Sequence, residues 1–230
     1  MNRPYIICHM VMSIDGKVTG DFLRSQPDEI DELYFDLHRQ FKAEAFACGK
    51  VTMMGSFTQG YEPDLAPFKD VPVERTDFIA SQSGCYAVAF DRKGSLGWRD
   101  GMIYDEDPGY DQRHIIEVVT YQASDAYLAY LESIGVSYII CGDDDLDLPL
   151  ALYKLKTLFG IDTLLLEGGS VINGAFEREG VIDELSLVQS PTIGGAKCGL
   201  LFHQAALQSY ELISSEIING VVYFRYRYKN

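Results

Sequence analysis

DTLLLEGGSVINGAFERE, residues 162–179, is the stretch that decides the fold of this chain. Residues 162–166, which include three consecutive leucines, predict a buried strand, and residues 168–179 predict a helix that opens on two glycines. A buried strand that passes directly into a helix is the unit from which parallel sheets are built. The stretch therefore predicts an α/β fold with its glycine turn at the carboxyl end of a parallel strand.

The rest of the second half repeats this alternation of strand and helix. Further strands are predicted at 114–120, 136–141 and 185–189, and helices at 124–134, capped by Ser124, and 147–159, capped by Asp147. Residues 210–217 and 221–228 flank Asn219-Gly220, the strongest short signal for a β-hairpin. These elements predict a mixed, mostly parallel central sheet with helices on both faces and a C-terminal hairpin.

The first half is less regular. Residues 4–12 predict a buried strand, residues 27–44 an amphipathic helix and residues 45–49 a second strand. The segment 55–109 is rich in proline, glycine and charge, with strand-like pieces only at 77–80 and 86–91. Because no linker separates a second hydrophobic pattern, we expect one domain over residues 1–230.

Composition narrows the class of function. The 230 residues carry 19 basic and 34 acidic side chains, a formal charge of −15 that repels nucleic acid and anionic membranes. No run reaches the ~18 apolar residues of a membrane helix, and no signal peptide opens the chain, so we expect a cytoplasmic protein. The five cysteines and four histidines are scattered without metal-ligand spacing, which predicts reduced thiols and no metal site.

The glycine turn is the strongest candidate for a binding site. Gly168 and Gly169 remove side chains where a phosphate would approach the backbone, and the following helix offers free amides and the positive end of its dipole. This device would let an acidic protein bind a diphosphate without a cluster of lysines. The alternative is a plain tight turn between strand and helix.

Three charged residues lie at predicted strand ends and keep two interpretations each. Glu167 either faces a polar ligand or serves the helix cap. Asp15, in Ser13-Ile14-Asp15-Gly16-Lys17, either contacts a ligand or shapes its turn, and Lys17 either reaches a phosphate or lies in water.

In combination, these motifs resemble the reductase domain of bacterial riboflavin biosynthesis, which has a three-layer dihydrofolate-reductase-like fold. The resemblance spans about residues 3–228 and rests on the Ser13 to Lys17 motif, on Gly49-x-x-Thr52, and on Leu165-Leu166-Glu167-Gly168-Gly169-Ser170-x-x-Asn173-Gly174. Asp183-Glu184-Leu185 and Pro191-x-x-x-Gly195 also match. The resemblance implies an NADPH-dependent reductase that passes hydride to the ribosyl carbon of an aminopyrimidine phosphate, 5-amino-6-(5-phosphoribosylamino)uracil, and opens the sugar.

The resemblance also implies roles for individual residues. It makes Asp15, Lys17 and Glu167 the candidate catalytic residues, and Ser25, Arg39 and Glu167 the substrate contacts. The cofactor contacts would be Val11, Met12, Thr52, Gly142, Gly168, Gly169, Ser170, Val171, Ile172, Asn173 and Gly174. Family habit and the aromatic terminal strand predict a homodimer.

The substrate half departs from the family pattern. Ser56 stands where the family has aspartate, Pro27 stands where a tryptophan is expected, and residues 62–65 replace a stretch whose arginine helps to bind substrate phosphate. Two alternatives therefore remain open: a pterin or dihydrofolate-type reductase, and an inactive nucleotide-binding regulatory protein on the same fold.

Overall fold

A computed structural model describes residues 2–24 and 27–229. In chain order, its main elements are β1 (Tyr5–Met12), α1 (Asp28–Phe41), β2 (Ala45–Gly49), α2 (Lys50–Met53), β3 (Tyr86–Phe90), β4 (Met102–Ile103), β5 (Arg113–Val119), α3 (Asp125–Ser133), β6 (Ser137–Ile140), α4 (Leu148–Phe159), β7 (Thr163–Leu166), α5 (Ser170–Arg178), β8 (Glu184–Gln189), β9 (Tyr210–Ile218) and β10 (Val221–Tyr228).

The chain divides into two compact units. One, the hairpin unit, comprises Tyr5–Ala43 and Thr163–Asn230, and the other, the central unit, comprises Met1–Pro4 and Glu44–Asp162. That residues 1–230 form one domain stays a prediction.

The hairpin unit contains three parallel strands followed by the terminal hairpin. β1 pairs in parallel with both β7 and β8, so that Ile7 lies opposite Leu165 on one side and Glu184 on the other. β10 pairs antiparallel with β8 and with β9. The carboxyl ends of β1, β7 and β8 therefore share one edge of the sheet, which we call the carboxyl edge of the hairpin unit.

Helix α1 covers this sheet through one apolar stripe. Ile30, Leu33 and Leu37 recur at helical spacing and form a buried cluster with residues of β1, β8 and β10, among them Val11 and Tyr223. Full burial of such a side chain stabilises the fold by roughly 1.5–3 kcal/mol. The helix ends at Phe41, before the predicted end at residue 44, because Lys42 adopts a left-handed conformation with φ of 50°.

The central unit repeats the parallel design. β2, β3, β5 and β6 pair in parallel, and β4 adds a short antiparallel pairing at the start of β5. The predicted caps are confirmed, since Ser124 Oγ accepts from Tyr127 N in α3 and Asp147 Oδ1 accepts from Leu150 N in α4. Of the two strand-like pieces, 86–91 forms β3, whereas 77–80 contributes only an isolated bridge to Tyr138.

The predicted α/β class with a mixed, mostly parallel sheet and a C-terminal hairpin is thus confirmed. Asn219 and Gly220 have φ values of 51° and 85°, the left-handed pair that a two-residue hairpin turn requires. Within the described ranges, no helix is both long enough and apolar enough to cross a membrane.

Candidate active site at the carboxyl edge of the hairpin unit

Glu167 forms a buried hydrogen-bonded pair with a histidine of α1. It directly follows β7, and its Oε1 lies 2.7 Å from Nδ1 of His38. Both side chains are almost fully buried, at 3% and 4% exposure. A buried carboxylate needs such a partner, because desolvation disfavours an isolated charge. The structure therefore gives Glu167 a fixed partner that the sequence did not reveal.

The glycine turn follows immediately. Gly168 has φ of 89° and is joined to Gly169 by a cis peptide bond. A Cβ added to Gly168 would lie 3.0 Å from Cε of Met10, so β1 approaches this turn closely. Only glycine adopts this backbone at low cost and leaves room for Met10.

Helix α5 opens at Gly169 without a side-chain cap. Gly169 occupies the N-cap position, and the first amide of α5 to bond within the turn is that of Asn173, which donates to Gly169 O at 3.0 Å. The amides of Ser170, Val171 and Ile172 precede it, where helix geometry supplies no acceptor. Val171 is largely exposed. These first-turn amides form the anion-binding arrangement that the sequence predicts.

The second half of the glycine motif contacts a loop instead. A Cβ on Gly174 would lie 2.0 Å from the carbonyl oxygen of His203, and His203 N donates to Ser170 O at 3.0 Å. Asn173 donates from Nδ2 to Leu201 O at 3.3 Å, while no donor among the described residues reaches its buried Oδ1. Residues 199–206, which we call the α5 loop, thus bind α5.

The Asp15 turn, residues 13–17, lies at the same carboxyl edge. Asp15 Oδ1 accepts from Ser13 Oγ at 2.6 Å and from Gly194 N at 2.7 Å, and these hydrogen bonds lower the pKa of this exposed carboxyl. Lys17 bridges to Leu200 through its backbone, and its aliphatic chain lies against Gly194. The turn interpretation of Asp15 therefore has direct geometric support, while a ligand role stays a prediction.

The other predicted cofactor and substrate contacts of the hairpin unit do not all lie beside the glycine turn. Val11 points into the apolar cluster beneath α1, whereas Met10, the preceding residue, approaches the glycine turn. Met12 ends β1, and its carbonyl accepts from Ser190 N at 2.8 Å. Arg39, half-buried near the end of α1, pairs with Asp36. Ser25 lies outside the described residues.

Thr52 and Gly142 belong to the central unit, and each follows a parallel strand there. Thr52 is half-buried in the short helix α2, directly after β2. Gly142 follows β6 with φ of 100°, and a Cβ there would lie 2.1 Å from Asp145 O. Gly142 is therefore required by its own turn, whatever else it contacts.

A second buried histidine, His9 on β1, is fully satisfied by the protein. Its Nε2 donates to Tyr34 O at 3.0 Å, so its Nδ1 accepts from Ser186 Oγ at 2.9 Å, and its ring stacks on that of Tyr34 at 4.3 Å. Burial lowers the pKa of His9, against the opposing effect of Glu167. His9 is therefore a neutral core residue.

The carboxyl edge of the hairpin unit therefore contains two arrangements that could bind ligands. The bare amides that open α5 and the unpartnered Oδ1 of Asn173 suit the phosphates and polar groups of a nicotinamide dinucleotide. The buried Glu167–His38 pair offers a carboxylate held in place for a polar substrate.

Two residues of this site, His38 and Met10, were not predicted from the sequence. The one signal for His38 was its position next to Leu37 on the stripe of α1.

Comparison with known proteins points to one family. A family model of the RibD C-terminal domain matches residues 110–223. The 2,5-diamino-6-ribosylamino-4(3H)-pyrimidinone 5′-phosphate reductase of Aquifex aeolicus is 28% identical over 207 residues, which cover 86% of this chain and 81% of that protein.

Two solved structures share the fold. A pyrimidine reductase-like protein of Corynebacterium diphtheriae matches with a TM-score of 0.71 at 17% identity, covering 100% of this chain and 93% of that one. RibD of Acinetobacter baumannii matches with a TM-score of 0.67 at 18% identity, and this chain spans 59% of its length. At such identities the likeness shows the fold alone.

Proposed function

We propose that the chain is a reductase of the riboflavin-biosynthesis family that reduces a phosphorylated ribosylaminopyrimidine with NADPH, which the family-model match and the Aquifex relative support. The single observation that carries the proposal is the contiguous arrangement at the end of β7, where the buried Glu167–His38 pair passes directly into the uncapped start of α5. This arrangement brings a fixed carboxylate and an anion-binding helix terminus to the same edge of one sheet.

The chain's own residues divide between cofactor and substrate. Gly168, Gly169 and the first-turn amides of α5 would hold the diphosphate of the cofactor, which supplies the hydride when bound. Asn173 offers its unpartnered Oδ1 to a donor group. In the central unit, Thr52 and Gly142 stay predicted cofactor contacts.

Glu167 would face the substrate. As a carboxylate it accepts hydrogen bonds, and the ribosyl hydroxyls and amino groups of the substrate are donors. Lys17 and Arg39 would supply positive charge to the substrate phosphate, and Ser25 is a further predicted substrate contact. When hydride reaches the ribosyl carbon, the bond from that carbon to the ring oxygen breaks and the oxygen takes one proton, so the sugar opens into a ribityl chain.

Two substrates fit this chemistry and differ at one position of the pyrimidine. The Aquifex relative is named for the diaminopyrimidinone, and the sequence resemblance pointed to the aminouracil. The test is to mix the purified protein with NADPH and each compound in turn and to follow the loss of NADPH absorbance. We expect one NADPH consumed per substrate with at least one of the two. NADPH binding without turnover on either would favour the regulatory alternative, and turnover on a dihydropterin alone would favour the pterin reductase.

We also propose a homodimer whose interface includes β9, the outermost strand of the hairpin unit. Among the described strands, β9 pairs only with β10, and its residues Leu212 and Ile217 are exposed at 55% and 78%. An unprotected apolar edge strand favours association with another strand.

A further inference from the structure

A side chain from a different element holds Glu167, and this contact deepens the proposed function. His38 lies in the last turns of α1, 129 positions away in sequence, and its Nδ1 reaches Glu167 Oε1 at 2.7 Å. At nine-tenths burial or more on both sides, water does not compete for this bond. A charged hydrogen bond of this kind is stronger and more directional than a neutral one.

Two neighbouring side chains on β1, those of Cys8 and His9, have pKa values that the Glu167 carboxylate affects. Burial, with Glu167 adding to it, raises the pKa of the Cys8 thiol, so Cys8 stays neutral. Burial lowers the pKa of His9, and both of its ring nitrogens already have partners, so His9 stays neutral as well.

Resting on the proposed function, we propose that His38 is a positioning residue for the reduction, which fixes the Glu167 carboxylate at the carboxyl edge so that it meets the substrate in one orientation. The ring donates from Nδ1 to Oε1 and thereby restrains the torsions of the glutamate side chain. A carboxylate fixed in this way does not lose freedom when the substrate binds, so its hydrogen bonds contribute fully to the reaction.

The test compares two substitutions that differ only in what they keep. His38→Asn retains an N–H donor near the place of Nδ1, whereas His38→Leu removes the donor and keeps the apolar volume. We expect kcat on the pyrimidine substrate to fall by about 10²-fold in His38→Leu and by clearly less in His38→Asn. The Kd for NADPH, measured by titration without substrate, should stay at the wild-type value in both.

The comparison of kcat with the Kd for NADPH is a readout that loss of stability would not reproduce. Partial unfolding impairs cofactor binding and turnover together, whereas loss of the donor to Glu167 lowers kcat and leaves the Kd unchanged. Equal kcat in the wild type and in His38→Leu, or an equal loss of kcat in His38→Leu and His38→Asn, would overturn the proposal.

The matched control is His9→Asn, which removes a buried histidine of the same unit that makes no hydrogen bond to Glu167. It should lower the melting temperature and reduce kcat much less than His38→Leu does. If His9→Asn lowers kcat as far as His38→Leu does, the effect is structural and the proposal fails.

Failure of this inference is distinguishable from failure of the proposed function. Should the wild type not oxidise NADPH with any pyrimidine substrate, the proposed function fails. In that case, an NMR experiment on the cofactor-free protein still tests the pair, since a His38 ring N–H bonded to Glu167 should give an exchange-protected resonance that is absent in His38→Asn. Absence of that resonance in the wild type would overturn the contact itself.

Discussion

Glu117 is a carboxyl group in the core of the central unit, and one of its oxygens has no donor within the described residues. Its Oε1 accepts from Trp98 Nε1 at 2.5 Å and from Tyr127 OH at 3.3 Å. Burial, with the Asp91 carboxylate adding to it, raises the pKa of Glu117 well above its ordinary value of 4.5. The folded protein therefore holds a proton here that the unfolded chain releases.

This difference has a defined sign. Because the folded state binds the proton more tightly, the stability from Glu117 is complete below about pH 4.5 and is lost as the pH rises toward the folded value. Glu117→Gln mimics the protonated acid and does not titrate. Its advantage in unfolding free energy over the wild type should grow by up to about 1.4 kcal/mol per pH unit in that window.

Denaturant unfolding followed by Trp98 fluorescence measures this, since Trp98 is the single tryptophan of the chain. The control is Glu74→Gln, an exposed glutamate of the same unit. A difference between Glu117→Gln and the wild type that does not change with pH would show that Glu117 ionises normally in the fold.

Single residues were predictable from the sequence where the cause is local. Ser124 and Asp147 cap their helices through amides three positions away, and Asn219-Gly220 sets its turn by its own backbone preferences. His38 meets Glu167 across 129 positions, which no local pattern encodes. The partner of Glu167 could be identified only from the structure, in which α1 packs on the sheet.

At the scale of elements, the start of α5 is the part of the fold on which cofactor binding depends. Gly169 has φ of −81°, a conformation open to any residue, so a side chain there changes the surface of the turn and not its backbone. Gly169→Val should abolish NADPH binding while the melting temperature stays close to that of the wild type. Calorimetric titration measures the first and thermal unfolding the second.

Gly169→Ala serves as the graded control, with weaker binding expected than in the wild type and stronger binding than in Gly169→Val. Normal NADPH affinity in Gly169→Val would remove the cofactor from this turn.

Gly174, at the other end of the same motif, should behave differently. A methyl group there meets the His203 carbonyl at 2.0 Å, so Gly174→Ala must displace the α5 loop. Overpacking of this kind typically costs about 1–3 kcal/mol. We expect a lower melting temperature with a comparatively small change in NADPH affinity. A stable Gly174→Ala that has lost NADPH binding would instead make Gly174 a cofactor contact.

The elements themselves followed from the sequence more fully than the site did. The hydrophobic periods predicted the strands and helices of both units to within a few residues, except for the short elements α2 and β4, because burial of a stripe or a face is the dominant local cause. The α5 loop escaped prediction, since residues 199–206 have no period and are held by backbone contacts to α5 and to the Asp15 turn.

At the scale of the whole molecule, association is the property that the exposed edge of β9 predicts. Light scattering should give about twice the chain mass of 25.8 kDa. Ile217→Lys places a charge on this edge and should give a monomer, whereas Ser214→Lys on the same strand leaves Leu212 and Ile217 in place and should disturb the dimer less. A wild type that is monomeric at all concentrations contradicts the homodimer.

In the proposed reaction, hydride from NADPH reaches the ribosyl carbon of a phosphorylated aminopyrimidine. The most direct measurement uses NADPH deuterated on the transferred position of the nicotinamide, with the diaminopyrimidinone or the aminouracil as substrate, and locates the label in the product by NMR. We predict one deuterium on the first carbon of a newly formed ribityl chain. A product without deuterium at that carbon, or with deuterium in the pyrimidine ring instead, would contradict the proposed hydride transfer.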